Sequence, residues 1–331
     1  MPKLLNFTTA TVLTTATAAS FLVAPVAIAG TLTGAARDYN LFLFEDWEQK
    51  GGDVEGRAAV GGNATLQSVG IADRLTNSNG TDDRLIVGGD LEILYNSGQV
   101  FGGNAVVGGS VAGNVNYNCS SCSTQSGSPI DFAAAQTHYK NLSDYLFGLS
   151  ETGSQTLVSG SNQLQLTGSG TGTHVFNVNL SNVREILLNA SSSSELVVIN
   201  VRDTSISNQI TSFFHQEANS DSRKWENVIW NFNKATNIDI TNGVSWRGTI
   251  LAPDARLTFA NGNVEGQTIA KSAQLNRWSG EFHNYEFNGK LPVPPAPESE
   301  TQSVPEPSTA IGLLAIAGLM KVVRRRDRTT A

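Results

Sequence analysis

The chain has 331 residues and a net charge of −7, from 22 basic and 29 acidic side chains. Its 32 glycines and only two methionines favour many short strands joined by turns over a helical bundle. The acidic balance argues against nucleic acid or an anionic membrane surface as a partner.

The N-terminus predicts an export signal. Lys3 precedes an apolar and small-residue stretch at 10–28, and Ala27 and Ala29 before Gly30 form an A-x-A cleavage site. We therefore assign residues 1–29 to a signal peptide that signal peptidase removes, which leaves Gly30 as the first mature residue. Without this peptide and the tail from 304 onward, 16 basic and 27 acidic residues remain, a net charge of −11.

Two acidic residues near the start of the mature chain are the enzyme candidates. Asp53 and Glu55 are spaced i, i+2 and so share one face of a strand. Glycan lyases and hydrolases need such carboxylates, or an acidic cluster with a basic proton acceptor. The alternative interpretation treats them as corner residues beside Gly56, with Arg57 as an ion partner. A second polar group, Glu281, His283 and Glu286, lies near the end of the body.

A glycine-centred phrase recurs through the first third of the body. It occurs as Val60-Gly61-Gly62-Asn63-Ala64, Val87-Gly88-Gly89-Asp90-Leu91, Phe101-Gly102-Gly103-Asn104-Ala105 and Val107-Gly108-Gly109-Ser110-Val111. We expect the glycines to supply positive φ at tight corners, with the flanking apolar residues pointing inward. Near the end, the stretch 248–252 is repeated at 266–270, an offset of 18 residues that suits one coil of a three-sided β-solenoid.

The prediction is therefore an all-β-dominated fold, a three-sided β-solenoid with irregular coils, with a β-sandwich of glycine-rich hairpins as the alternative. One long α-helix, at about 130–149, is expected to pack alongside. Its apolar residues follow 3-4-3-4-3 spacing: Phe132, Ala135, Tyr139, Leu142, Leu146 and Leu149.

Two local motifs bear on metal binding and oxidation. Cys119 and Cys122 form a CxxC, which in an exported chain predicts a loop-closing disulfide. A zinc site would need two further ligands, and the four histidines lack ligand spacing. A weak calcium candidate supplies hard oxygen ligands around Gly80, although it lacks the spacing of an EF-hand; its residues are Asn77, Asn79, Asp82 and Asp83. Apart from this calcium candidate, we predict no cofactor and no metal site.

The C-terminus predicts a sorting tail. A Pro-rich linker at 292–303 is followed by Val304, Pro305, Glu306, Pro307 and Ser308, then by an apolar run. Arg324, Arg325 and Arg326 follow, and such a cluster holds a tail at the cytoplasmic face. The segment 304–331 resembles the PEP-CTERM sorting signal. The resemblance implies recognition of the Val304–Ser308 motif by exosortase, a membrane enzyme.

The body resembles the bacterial choice-of-anchor A domain across 30–291. The matching stretches are 38–42 and 53–63 near its start, and 246–253 and 280–292 near its end. The family implies a surface or matrix protein of adhesin type, with no established catalytic residues. A more distant likeness, to ice-binding β-solenoids with one long helix alongside, concerns the fold alone.

Together these features predict an exported protein of the cell surface or extracellular matrix, transiently anchored in the membrane by its tail. Its function is predicted to be non-catalytic binding or structural support, associated with exopolysaccharide or biofilm. The expected partners are signal peptidase, an exosortase-like enzyme and a polysaccharide or matrix protein, with no nucleic acid. The alternative is a carbohydrate-active enzyme, a lyase or hydrolase, that uses Asp53 and Glu55.

Overall fold

The structure, a computed structural model, describes residues 32–190, 193–207, 209–216, 225–275 and 280–292. These residues form a three-sided β-solenoid, in which each coil places one short strand on each of three walls. All of the described strand pairs but one are parallel, as a coiled chain requires and a hairpin sandwich does not. The predicted solenoid is therefore confirmed. Residues 1–31 and 293–331, which hold the predicted signal peptide and sorting tail, lie outside the described residues.

The first wall is the longest stack. Its strands, in spatial order, are β16 (Thr173–Val178), β18 (Leu196–Val201), β21 (Val228–Asn231), the first part of β24 (Thr249–Phe259), the first part of β26 (Thr268–Leu275), β1 (Leu41–Leu43), β4 (Ala58–Val60), β7 (Asp83–Val87), β10 (Asn104–Val107) and β13 (Thr124–Ser126). Ile250 pairs with Thr268 and Leu251 with Ile269, so the 18-residue offset is one coil.

The other two walls complete the coils. The second wall contains β19 (Ser205–Ile206), β22 (Asn237–Ile240), the later parts of β24 and β26, β2 (Trp47–Lys50), β5 (Ala64–Gln67), β8 (Leu91–Ile93) and β11 (Val111–Ala112). The third wall contains β14 (Ser154–Val158), β15 (Gln163–Thr167), β17 (Glu185–Asn189), β20 (Ser212–His215), β23 (Trp246–Arg247), β25 (Asn263–Glu265), β27 (Glu281–His283), β3 (Asp53–Val54), β6 (Gly70–Ile71), β9 (Gly98–Val100) and β12 (Val115–Tyr117). A 3₁₀ turn, Leu94–Asn96, joins β8 to β9.

The coils do not stack in chain order. β1, the first strand, pairs with β26 on one side and with β4 on the other, so the first coil lies in the middle of the stack. After β1, successive coils stack away from the middle as far as β13. A helix then takes the chain back along the first wall. The coils from β14 to β27 stack in order from the other end toward the middle. Both ends of the solenoid are therefore made by internal segments.

The glycine pairs have a different role from the one we predicted. Gly61, Gly88 and Gly108 stack at the corner between the first and second walls, and their φ values are not positive. A Cβ on Gly88 would lie 2.4 Å from the carbonyl oxygen of Gly61, and one on Gly108 would lie 2.2 Å from that of Gly88. Close approach between coils thus requires glycine here. Of the four phrases, only Phe101–Ala105 contains a positive-φ glycine, Gly102, and it lies at another corner.

The polar residue after each corner glycine pair ties one coil to the next. The backbone N–H of Asn63 donates to Asp46 Oδ1 at 2.8 Å, that of Asp90 to Asn63 Oδ1 at 2.8 Å, and that of Ser110 to Asp90 Oδ1 at 2.7 Å. These hydrogen bonds form a ladder along the corner. They give each of these backbone N–H groups an acceptor that the local turn does not provide.

Helix α1 (Phe132–Phe147) begins two residues after and ends two residues before the predicted span. Asp131 caps it by accepting from the N–H of Ala134 at 2.9 Å, and Gly148 ends it. Its predicted apolar face packs on the outer side of the first wall, against Phe42, Ile229 and Leu251 among others. Within the described residues no helix has the length and apolar character needed to span a membrane.

Hydrogen bonds also hold α1 against the first wall. Asn177, Asn200 and Asn231 are in register on the first wall, beneath the last turns of α1. Asn231 Nδ2 donates to Asn200 Oδ1 at 2.8 Å and to the Ser143 carbonyl at 2.9 Å, while Asn200 Nδ2 donates to the Leu146 carbonyl at 2.9 Å. All three asparagines point outward from the coil; the helix buries Asn200 and Asn231 fully, and Asn177 is half-buried.

Candidate functional site

Two of the three walls can meet a ligand. The first wall is covered by α1, whereas the second and third walls present polar side chains at their surfaces. The aromatic rings suited to sugar stacking are mostly unavailable on them: Trp47 and Trp225 are fully buried, and Trp278 lies outside the described residues.

The second wall carries a column of polar side chains in register. From one coil to the next it runs through Asp239, Thr258, Gln274, Glu48, Thr65 and Glu92. Gln274 Nε2 donates to Glu48 Oε2 at 2.8 Å, which joins the chain's last coil to its first across this surface. Backbone pairing fixes the spacing of the column, so the wall offers a regular array of hydroxyl, amide and carboxylate groups.

An open groove of about 570 Å³ lies beside this column. Its charged lining residues are Glu45, Asp46, Glu48 and Arg256, and Thr65 and Gln274 also border it. Lys271 Nζ lies 3.4 Å from Glu45 Oε1, so part of the acidic charge is paired. The groove is polar and shallow, which suits a hydrated ligand lying along the surface better than an engulfed small molecule.

The third wall gathers acidic residues around one histidine. Glu265 pairs in register with His283, and β27 lies against β3 through Phe282 and Val54. His283 Nδ1 lies 3.1 Å from Glu265 Oε2, and its Nε2 lies 3.1 Å from Glu281 Oε2. Asp53 and Glu55 come from β3 and the residue after it, beside these groups.

Charge and burial shift two pKa values in this cluster in the same direction. Hydrogen bonding to Glu265, opposed by desolvation, raises the pKa of His283 to about 9, so both ring nitrogens carry protons at neutral pH. Burial, with repulsion from Glu281 and Asp73, raises the pKa of Asp53 to about 6. One oxygen of Asp53, Oδ1, is buried without a hydrogen-bond partner among the described residues.

The two enzyme candidates are thus brought together with His283 but have different environments. Both oxygens of Glu55 are engaged: Oε1 lies 3.2 Å from Arg74 Nε, and Oε2 accepts from the N–H of Asn284 at 2.9 Å. Such a carboxylate is a poor base or nucleophile. Asp53 has the raised pKa, about 6, that a general acid needs. Glu286, the third member of the other predicted polar group, is exposed and belongs to a different pocket with Arg37 and Asp38.

Three of the calcium candidates, Asn77, Asn79 and Asp82, lie in the loop between β6 and β7. Two arginines pair with Asp82 there. Asp82 Oδ2 lies 3.1 Å from Arg57 Nη2 and 3.2 Å from Arg84 Nη2, and Asn77 Oδ1 accepts from the N–H of Asn79 at 2.7 Å. Asp83 is the first residue of β7. Two guanidinium groups at one carboxylate oppose binding of a cation there. In the part of the chain that the structure describes, no group of three His, Cys, Asp or Glu side chains is arranged around a metal position.

The other predicted site residues lie away from these two walls or outside the described residues. Cys119 and Cys122 are joined in a disulfide in the loop between β12 and β13. Ala27, Ala29, Gly30, the Val304–Ser308 motif and the three tail arginines lie outside the described residues. Sequence reasoning missed Glu265, Asp73 and Arg74 as members of the third-wall cluster. The sequence contains one indication of the position of Glu265. The pair Glu265-Gly266 follows Arg247-Gly248 by 18 residues, the length of one coil, so Glu265 occupies the position of Arg247 on the next coil.

The fold and the two exposed walls define a solenoid domain that offers regular polar surfaces for binding. A family model described as "Putative Ice-binding-like adhesive domain" matches residues 32–284. The chain belongs to this adhesive family, whose domains suggest an extracellular or cell-surface location. The crystal structure of an ice binding protein from an Antarctic Biological Consortium aligns with 80% of this chain and 95% of its own, at 12% identity and a TM-score of 0.35. No curated protein matches the chain.

Proposed function

We propose that this protein is an exported adhesin-like module, non-catalytic, that binds exopolysaccharide at the cell surface or in the biofilm matrix. The polar column of the second wall carries this proposal, because it repeats hydrogen-bonding groups at the strand spacing of roughly 5 Å. A glycan lying along the wall would make many weak contacts at once, and their sum would give useful affinity. Membership of the adhesive family supports the same function.

The predicted terminal signals complete the proposal. Signal peptidase would release Gly30, and an exosortase-like membrane enzyme would recognise Val304–Ser308 while Arg324–Arg326 hold the tail at the cytoplasmic face. The choice-of-anchor A resemblance fits this organisation, since it describes a surface domain followed by an anchor. Cation bridging would let the acidic wall contact an acidic glycan.

Binding of alginate, an acidic polysaccharide, with and without calcium, tests the role of the second wall. Thr65→Tyr places a bulky side chain in the column, and Thr137→Tyr makes the same change on the exposed side of α1. We expect T65Y to weaken calcium-dependent binding about tenfold and T137Y to leave it unchanged. Equal binding by both variants would exclude the second wall as the contact surface.

The enzyme alternative rests on one observation, the raised pKa of Asp53 in a cluster with His283 and Glu281. Release of reducing ends from glycans, abolished by Asp53→Asn, would establish it and overturn the non-catalytic proposal. The engaged state of Glu55 leads us to expect no such release.

A further inference from the structure

No described residue covers one end of the solenoid. The outermost coil contains β11, β12 and β13, and we call its residues 108–127 the open end. Both residues of β11 and all three of β13 are exposed, and the outer edges of β11, β12 and β13 pair with no described strand. The inward side chains Val115 and Tyr117 are only half-buried, because no further coil lies on them. Solenoids ordinarily close such an end with a polar capping repeat.

The opposite end is closed by a single strand that is itself exposed. Here β14 runs antiparallel to β15, and we call residues 152–172 the far end. Four of its five β14 residues are exposed, and its outer edge pairs with no described strand. Each end of the solenoid therefore presents backbone N–H and C=O groups capable of pairing with another strand.

Neither end segment, 108–127 or 152–172, contains a charged residue; Glu151, which immediately precedes the far end, accepts a hydrogen bond from Gln155 Nε2 of β14 at 3.4 Å. No Asp, Glu, Lys or Arg occurs between Glu92 and Asp131, or between Glu151 and Arg184, although the chain as a whole carries a net charge of −7. Natural edge strands commonly carry charged side chains that prevent pairing with another chain. Repulsion between two acidic copies would thus be weakest when they meet end to end.

Exposed apolar side chains are concentrated in the same segments. Among the described residues, the large hydrophobic side chains that are strongly exposed are Tyr95 at 82%, Val111 at 42% and Leu157 at 49%. Val111 lies in the open end, Tyr95 precedes it in the same charge-free segment, and Leu157 lies in the far end. Unpaired edges, missing charges and exposed apolar groups therefore coincide at both ends.

We propose that these ends are an interaction surface for a second copy of this chain, with the open end of one copy stacked on the far end of the next. Such an interface joins unlike surfaces and leaves one of each free, so it propagates into a chain of copies. The interface buries strand edges against strand edges and needs no contribution from the second wall, so it is independent of the glycan proposal.

Four proteins test this proposal by sedimentation of the full-length chain in density-matched detergent. The open-end variant is V111D with T124D, the far-end variant is L157D with T156D, and all four positions are exposed. Asn237→Asp, an exposed position on the second wall in a strand that is paired on both sides, is the control for added charge alone. Wild type and N237D are expected to form complexes that grow with concentration, whereas each end variant stays monomeric.

A mixture of the two end variants determines the polarity. One retains a working far end and the other a working open end, so an equimolar mixture is expected to give complexes of two chains and no more. A monomeric wild type would overturn the proposal. Dimers of the far-end variant alone would show open-end-to-open-end contact instead, and oligomers of both end variants as large as those of wild type would assign assembly to another part of the chain.

Discussion

Replacing Asn231 with alanine is expected to lower the free energy of unfolding by about 3 kcal/mol. The side chain is fully buried between the first wall and α1. It donates to Asn200 Oδ1 and to the Ser143 carbonyl, and it accepts from Ser143 Oγ at 2.6 Å. Each of these three hydrogen bonds is worth about 1 kcal/mol net, and their loss leaves the Asn200 oxygen buried without a donor.

Thermal unfolding measures the effect. For a domain of this size, a change of about 3 kcal/mol corresponds to a decrease of roughly 6–12 °C in Tm. Asn237→Ala is the matched control, since that exposed amide contacts only its neighbour Thr236 at 3.4 Å, and its effect should stay within about 0.5 kcal/mol. Asn231→Leu keeps the branched shape and the number of heavy side-chain atoms but not the amide, so we expect it to remain destabilised by about 2 kcal/mol. An N231L protein as stable as wild type, or N231A and N237A with equal Tm, would refute the claim that the amide ladder fastens the helix.

Three further predictions follow from the corners, the third wall and the helix cap. Gly88→Ala should destabilise the domain by about 3 kcal/mol, because its Cβ would lie 2.4 Å from the Gly61 carbonyl oxygen; Gly172→Ala, which has open space around it, should change Tm by less than 2 °C in the same scan. Because the pKa of His283 is raised to about 9, its stabilising contribution is complete below pH 6.5, the ordinary pKa of histidine, and is lost as the pH rises through 9. Urea unfolding should therefore show a loss of about 1 kcal/mol over that interval, after allowance for solvent screening, and Glu265→Gln should flatten the profile; a wild-type profile as flat as that of E265Q would contradict the assignment. Asp131→Ala removes the N-cap of α1 and should cost about 1 kcal/mol, with faster amide exchange in the first turn and no change at the last turn.

Local periodicity was enough to predict the main elements. The spacing from Phe132 to Leu149 identified the helix and its buried face, since one turn of helix relates those residues to each other. The 18-residue repeat identified one coil, because two coils of equal length place equivalent residues in register. In the structure, Val228 and Trp230 of β21 lie inside the coil and Asn231 faces α1, as the alternation of side chains along a strand requires.

Contacts between coils distant in sequence could not be predicted in this way. Asp53 and Glu281 interact because the last coil of the chain stacks on the first, a feature that no spacing within either segment encodes. The role of Gly61 and Gly88 was misjudged for a related reason. Sequence alone suggests a positive φ at a glycine, whereas the close approach of a carbonyl from the neighbouring coil is visible only when the coils are stacked.

The order of the coils decides which segments form the two ends of the solenoid. Because β1 and β26 meet in the middle of the stack, the two outermost coils are formed by segments far from either end of the described chain. Residues 280–292, which lead toward the predicted sorting tail, begin in the central coils, where Phe282 pairs with Val54, and then run toward the far end. The N–H of Asn288 donates to the Glu226 carbonyl and that of Lys290 to the Glu195 carbonyl, next to β18. Attachment through the tail would therefore start about one coil from the far end and leave the open end at the opposite extremity of the solenoid. Of the two charge-free segments, 93–130 lies at the end of the solenoid away from residues 280–292, whereas 152–183 lies at the end toward which those residues run. An anchored copy could accordingly stack on a neighbour through its open end while its second wall remained exposed to glycan.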